Sequence, residues 1–254
     1  MGWINYFNHD KPPIVRKGSR RMKKRISVIG IWVLLVVLLG NSTQSYDGII
    51  LKYYPSNSLL KQLLYLDDNA PVNELVILPE QKFDEEKAAA IIKNIQQLPP
   101  PLLAKIHQNG IYLKLFVGKL TDNPSAKHLR GLIPRGYVNQ KKWDEVPGIG
   151  GGRVVLVKIG HSEKGMGHGS VNLELHELAH SIDRIIYNKL RFDPVFLHVW
   201  TNEKHALFQN QAYFITLPEE YFAEAFAMYY VNEENRTILK NKAPLTYEYI
   251  KNLQ

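Results

Sequence analysis

One stretch constrains this chain more than any other: Ser170 to Ile186, SVNLELHELAHSIDRII. Inside it His176, Glu177, Leu178, Ala179 and His180 form an HExxH motif. Residues four apart share a face of an α-helix, so on a helix the two imidazoles offer donors from adjacent turns to one ion. Glu177 then projects beside that ion, where a carboxylate can hold and deprotonate a water. The apolar pattern specifies the helix. Val171, Leu175, Leu178, Ile182, Ile185 and Ile186 recur at helical spacing and embed the histidines in a buried segment. Two core histidines satisfied by hydrogen bonds are the competing explanation, and a third ligand would decide between them.

A chain of 254 residues, 45% hydrophobic and 22% charged, can bury a substantial core. Its net charge of +8 is unevenly spread. Residues 1–45 hold eight Lys/Arg and one Asp, a net of +7, which leaves 24 Lys/Arg against 23 Asp/Glu, or +1, for the other 209 residues. A body this close to neutral carries no nucleic-acid footprint. Cysteine is absent. That excludes disulfides, thiolate metal sites, cysteine nucleophiles and a cysteine-linked lipid anchor.

The charge at the start has its own meaning. Arg20 to Arg25 (RRMKKR) abut an unbroken apolar run from Ile26 to Leu39, 14 residues long. About 20 are needed to span a bilayer. A basic stretch followed by a short apolar one is the layout of an export signal. Gly40 to Ser45 supply small residues for cleavage, but no clean A-x-A. Residues 1–45 are therefore expected to be a signal peptide or, uncleaved, an N-terminal anchor, with Met22 as an alternative start. The mature protein would be secreted or held at the cell surface, touching membrane only through residues 26–39. No repeat or long linker interrupts 46–254, which is expected to form one domain and to act as a monomer. Its entry part is 46–130 and its catalytic part 131–254.

Within that domain, Asn73 to Leu78 reads as a short buried strand ending at Pro79. Asp84 can cap a helix running to about Leu98, acidic in its first turn as the macrodipole prefers. Pro99, Pro100 and Pro101 break it, and Leu102 to Gln108 forms a second helix. Ile111 to Val117 alternates and predicts a strand. Residues 130–152 are rich in Gly and Pro and read as loops. The run Gly148 to Gly152 lacks the Lys-Ser/Thr ending of a phosphate loop. Arg153 to Ile159 is a strand, placed just before the metal helix where zinc peptidases pair an extended substrate. His161 and His168 follow in a Gly-rich turn and read as loop histidines. The fold class expected is α+β: a mainly helical, zincin-type metallopeptidase domain with a small sheet.

A catalytic zinc site needs a third protein ligand and an open position for water. The metzincin pattern would place glycine at 183 and histidine at 186; here those are Asp183 and Ile186. The next candidate helix starts at Pro218 (PEEYFAEAFAMYYVNEE), where Glu220 and Glu224 share a face among Phe222, Ala225, Phe226 and Tyr229. Carboxylates in so apolar a helix are costly unless partnered. His198 and His205 are rival ligands, in a polar segment without a supporting acid.

From about Leu132 onward the chain resembles the catalytic domain of anthrax lethal factor, and more so the secreted bacterial Pro-Pro endopeptidases. The resemblance is carried by WDEVPG at 143–148, GHGSVNLELHELAHSID at 167–183, PEEYFAEAFAMYY at 218–230 and KAPLTYEYIKNL at 242–253. It implies that His176, His180 and Glu220 hold one Zn2+ per chain, with Glu177 as general base. It implies that Glu224 supports a histidine ligand from behind, and that Tyr213, seven positions before Glu220, stabilises the oxyanion. Lys141 and Trp143 match groups lining the substrate cleft, although Trp143 also reads as ordinary core. The implied activity is a zinc metalloendopeptidase cutting proline-containing polypeptides at or near Pro-Pro. The alternatives are the same peptidase fold with another specificity, or a non-catalytic membrane-attached binding protein.

Overall fold

The computed structural model describes residues 47–134 and 140–253. The basic N-terminal segment and its apolar run at 26–39 lie outside the described residues. Among those described, no helix is long and apolar enough to cross a membrane.

The entry part opens with β1 (Ile49–Ile50) and α1 (Leu59–Leu64), the latter capped by the Ser58 hydroxyl accepting the Lys61 N–H at 3.2 Å. A single turn, α2 (Val72–Leu75), leads directly into β2 (Val76–Leu78). The strand expected over residues 73–78 is thus only its second half. The Asn73 amide donates to the Asp67 and Asp68 carbonyls at 2.8 and 3.2 Å, and these bonds hold the first half in a turn. Next is α3 (Glu85–Gln96), where the Asp84 carboxylate accepts the Lys87 N–H at 3.0 Å. The proline run ends α3 and opens α4 (Pro100–Gln108), since proline lacks only an N–H that a first turn leaves unpaired. Then comes β3 (Tyr112–Phe116).

The catalytic part contributes β4 (Gly148–Ile149) and β5 (Val154–Lys158), then six further helical elements. The first is α5 (Leu173–Ser181), continued by one π-helical turn, Ile182–Ile186. It is followed by α6 (Pro194–Phe208), α7 (Ala212–Thr216), α8 (Pro218–Val231), α9 (Glu233–Lys242) and α10 (Pro244–Lys251).

The five strands lie in the order β1-β2-β3-β5-β4, with β2, β3 and β5 parallel and the two edge strands antiparallel to their neighbours. Side chains alternate across the sheet. Leu113, Leu115, Val155 and Val157 face the main core, which the helices fill with Ile91, Leu175, Phe222 and Phe226. Phe116 and Leu156 face the other way, into a small cluster with Leu120 and Ala126 that Trp143 packs against.

This order corrects one expectation. The strand at 153–159 is interior, with β3 along one side and β4 against Leu156 and Val157 on the other, so at those residues it has no free edge for a substrate. The edge beside α5 belongs to β4, inside the segment that read as loop.

Candidate active site

The site begins with how α5 is held. Asn172 caps it, its side chain accepting the Leu175 N–H at 3.0 Å. Glu174, fully buried in the first turn, accepts the amides of Asn94 on α3 at 2.6 Å and Asn172 at 2.9 Å, along with the Ser162 hydroxyl. Burial pushes this carboxyl up, and its second oxygen has no hydrogen-bond partner. Glu174 ties α5 to α3 and to the turn after β5. It is not among the residues that the motifs single out. A charged residue in the middle of the apolar stripe 171–175 is the signal that could have found it.

Facing α5 is α8. Its aromatic and alanine positions, Tyr221 to Ala227, are buried, and a side chain such as Phe222 or Phe226 contributes about 2–3 kcal/mol on burial. That packing brings Glu220 against the two histidines. His176 Nε2 and His180 Nε2 are 3.2 Å apart, and Glu220 Oε2 lies 3.3 Å from the first and 3.4 Å from the second. Among the described residues, this is the one group of three such side chains able to hold a metal ion.

The residues fit a metal on two counts. Donor atoms bound about 2.0–2.1 Å from a tetrahedral ion stand about 3.3–3.4 Å from one another. The three observed separations lie at that value. Moreover, Glu220 Oε2 is buried and makes no well-directed hydrogen bond of its own, as expected of an atom placed for a cation. Two imidazoles and a carboxylate suit zinc, while other divalent ions share that preference. Burial pulls the His176 imidazole down, but the carboxylates of Glu220 and Glu224 outweigh it and hold its pKa at about 10. Burial likewise pushes Glu220 up, and the two imidazoles more than reverse this, holding it well below the usual carboxylate range.

Behind His176 sits Glu224, one turn after Glu220 and buried. Its Oε2 is 3.1 Å from His176 Nδ1, and its Oε1 accepts the Val171 N–H at 2.9 Å. With Nδ1 turned to Glu224, Nε2 is the ring nitrogen left facing His180 and Glu220. We predict that Glu224→Gln weakens metal affinity about 10- to 100-fold without unfolding the chain. Competition with a chromophoric chelator, alongside circular dichroism, measures both. Unchanged affinity would remove Glu224 from this role.

Glu177 points the other way, toward β4. Burial pushes its carboxyl up, opposed by His176, His180 and the Gly150 N–H. Side chains are missing from β4 where it crosses α5. A Cβ on Gly148 would stand 3.0 Å from Glu177 Cγ, and one on Gly150 only 1.9 Å from the Glu177 carbonyl oxygen. The glycine run that resembled a phosphate loop therefore lets an edge strand lie directly on the metal helix.

Between β4, α5 and α8 runs a cleft of about 400 Å³, lined by His176, Glu177, His180 and Glu220. Tyr213 on α7, half exposed, and Trp143, half buried, line it too. Lys141 does not line it; its ammonium donates to the Gly167 carbonyl at 3.1 Å. The rival ligands stand apart from the cage. His198 Nε2 lies 3.1 Å from the Asn202 amide and His205 Nδ1 lies 3.3 Å from the Gln209 carbonyl, both on the exposed side of α6. His168 Nε2 is spent on the His161 carbonyl at 2.8 Å.

A small mixed sheet, a helical body and a His-His-Glu group on two facing helices define the class: a mainly helical α+β domain with side chains placed to hold a metal ion. The model of the family described as anthrax toxin lethal factor, N- and C-terminal domain, matches residues 66–253, and the chain belongs to this family. A Pro-Pro endopeptidase of Clostridioides difficile is 39% identical over 183 residues, covering 72% of this chain and 82% of the relative. One from Paenibacillus alvei is 35% identical over 190 residues, covering 74% and 87% respectively. A solved structure of a Pro-Pro endopeptidase from Paenibacillus alvei superposes with a TM-score of 0.69 at 36% identity, over 72% of this chain and all of the other.

Proposed function

We propose that the protein is an exported zinc metalloendopeptidase that hydrolyses peptide bonds at or near Pro-Pro in extracellular or surface proteins. The observation that carries this reading is the triangle of His176, His180 and Glu220 donors, with Glu177 beside it on the floor of an open cleft. The bond preference is drawn from the two relatives, each named a Pro-Pro endopeptidase. Export is drawn from the basic and apolar run of residues 20–39.

His176, His180 and Glu220 would hold the ion. When bound, it supplies Lewis acidity, making water more acidic and a carbonyl more electrophilic. Glu177 accepts the proton of the attacking water and passes it to the leaving nitrogen, which is a proline nitrogen if the cut falls between prolines. Tyr213, on the opposite wall, donates its hydroxyl to the oxygen that gains negative charge. Trp143 offers an aromatic face on which proline rings of the substrate can pack.

Tyr213→Phe is expected to lower kcat about 10²- to 10³-fold with a small change in KM, because the hydroxyl acts on charge that develops only in the transition state. Steady-state kinetics on one cleavable peptide check this; a pure KM effect would make Tyr213 a binding residue instead.

The purified protein, incubated with peptides carrying central Pro-Pro, tests the whole reading. Cuts mapped by mass spectrometry should fall between the prolines, cease with a chelator, and return with zinc. Cleavage elsewhere would keep the peptidase and change its specificity. Absence of both cleavage and bound zinc would favour a binding protein.

A further inference from the structure

One part of the cleft has no use in the chemistry above. On the cleft wall beyond His180 stand two arginines, Arg184 and Arg191. They are not equivalent. The Arg191 guanidinium donates to Glu219 at 3.2 Å, a pair that neutralises itself. Arg184 is exposed, and no carboxylate pairs with it among the described residues. Its Nη1 donates to the Gly151 carbonyl at 3.2 Å, which uses one of its five N–H donors. Its neighbour Asp183 also lines the cleft, but it is only 4% exposed and forms no ion pair with Arg184.

The Gly151 bond also fixes where the charge sits. A Cβ on Gly151 would lie 3.9 Å from His180 Cβ, so the guanidinium is anchored at a residue of the β4–β5 turn that lies against the metal helix. Arg184 lies within the π-helical turn Ile182–Ile186 that continues α5. A planar guanidinium with spare donors, open to solvent and tethered at one corner, is suited to a bidentate grip on a carboxylate.

We propose that Arg184 is a specificity residue that selects peptides carrying an Asp or Glu side chain near the cleaved bond, since it lines the same cleft as the cage. This deepens, and rests on, the peptidase reading above. The acid is held by its charge and fork geometry, so Asn and Gln do not replace it, and Lys in its place is rejected. The preference weakens as salt is raised, because the pair is open to solvent.

The experiment uses two peptide sets on the whole protein. In the first, Pro-Pro is fixed and each of the three positions on either side carries Asp, Asn or Lys in turn. In the second, the central bond is randomised. The readout is a ratio within each protein: kcat/KM for the Asp peptide over that for its Asn partner. At one position the wild type should show about a tenfold ratio, and Arg184→Gln should bring it close to one. Arg184→Lys should keep part of it, and Arg184→Glu should favour the Lys peptide. Because each ratio is internal, a variant with lower overall activity still reports.

Equal cutting of Asp and Asn peptides by the wild type at every position overturns the proposal, as does a ratio that Arg184→Gln leaves unchanged. The randomised set separates the two readings. Acid enrichment around bonds other than Pro-Pro would overturn the bond preference and keep the subsite. Cleavage at Pro-Pro without acid enrichment would do the reverse. No cleavage in either set would overturn both.

Discussion

Replacing Glu177 by Gln is expected to lower peptide hydrolysis about 10³- to 10⁴-fold, with the bound metal retained. The reason is local. Glu177 lines the cleft, directly follows a cage histidine in the chain, and is not itself one of the three converging donors. Gln keeps the length and the hydrogen bonding of the side chain but cannot take a proton from water. Its amide can still meet the Gly150 N–H through oxygen, so the β4–α5 contact survives. Metal analysis by mass spectrometry and kinetics on a Pro-Pro peptide together give the answer. Full activity in this variant would sink the proposed mechanism, which assigns the proton transfer to this carboxylate. Loss of metal together with activity would instead make Glu177 part of the cage.

The second large effect comes from a residue with no side chain. Gly150→Ala would put a methyl group 1.9 Å from the Glu177 carbonyl oxygen and 2.7 Å from its carbonyl carbon. Both are backbone atoms of the metal helix, so neither can rotate aside as a flexible side-chain tip would. Either β4 leaves α5 or α5 shifts against α8, and the second distorts a triangle whose sides are 3.2 to 3.4 Å. A displacement of about 1 Å at such a site costs on the order of 10²-fold in rate, and overpacking of this kind costs about 1–3 kcal/mol or more in stability. We expect Gly150→Ala to lose at least that much activity and to melt several degrees lower. Gly152→Ala is the control. Its added Cβ meets nothing nearer than 3.9 Å, so it should keep both activity and melting temperature. Equal behaviour of the two variants would mean that the β4–α5 contact is not needed for the chemistry.

Much of the site is legible in the amino-acid sequence. HExxH carries its own geometry: a four-residue spacing on a helix puts two imidazoles side by side wherever that helix is packed. Glu220 and Glu224 stand out as carboxylates out of place in an aromatic helix, because burying them is costly without partners. Which of the two meets both histidines, and which stands behind one of them, is a matter of one helical turn. Residue spacing alone leaves that open, and only the family resemblance assigns it. Helix ends are equally local. Asp84, Ser58 and Asn172 cap the helices that follow them through side-chain oxygens, a contact between residues three positions apart.

What the sequence could not decide lies in contacts between distant segments. Val76–Leu78 is a strand and Val72–Leu75 a turn because the Asn73 amide finds carbonyls at 67 and 68, although the whole stretch has strand-forming composition. The order β3-β5-β4 makes residues 153–159 interior and turns the glycine run into the edge strand; no periodicity within either segment states which neighbour it takes. Glu174, Gly150 and Arg184 are ordinary residues of a helix, a loop and a helix end until α3, β4 and the β4–β5 turn are brought against them. The sequence by itself placed His176, Glu177 and His180 together on one helix, since spacing within a helix is fixed by its own hydrogen bonds. The tertiary structure alone decided which strand forms the edge beside α5, the cleft and the charge at its end, since these are made by packing segments that carry no record of one another.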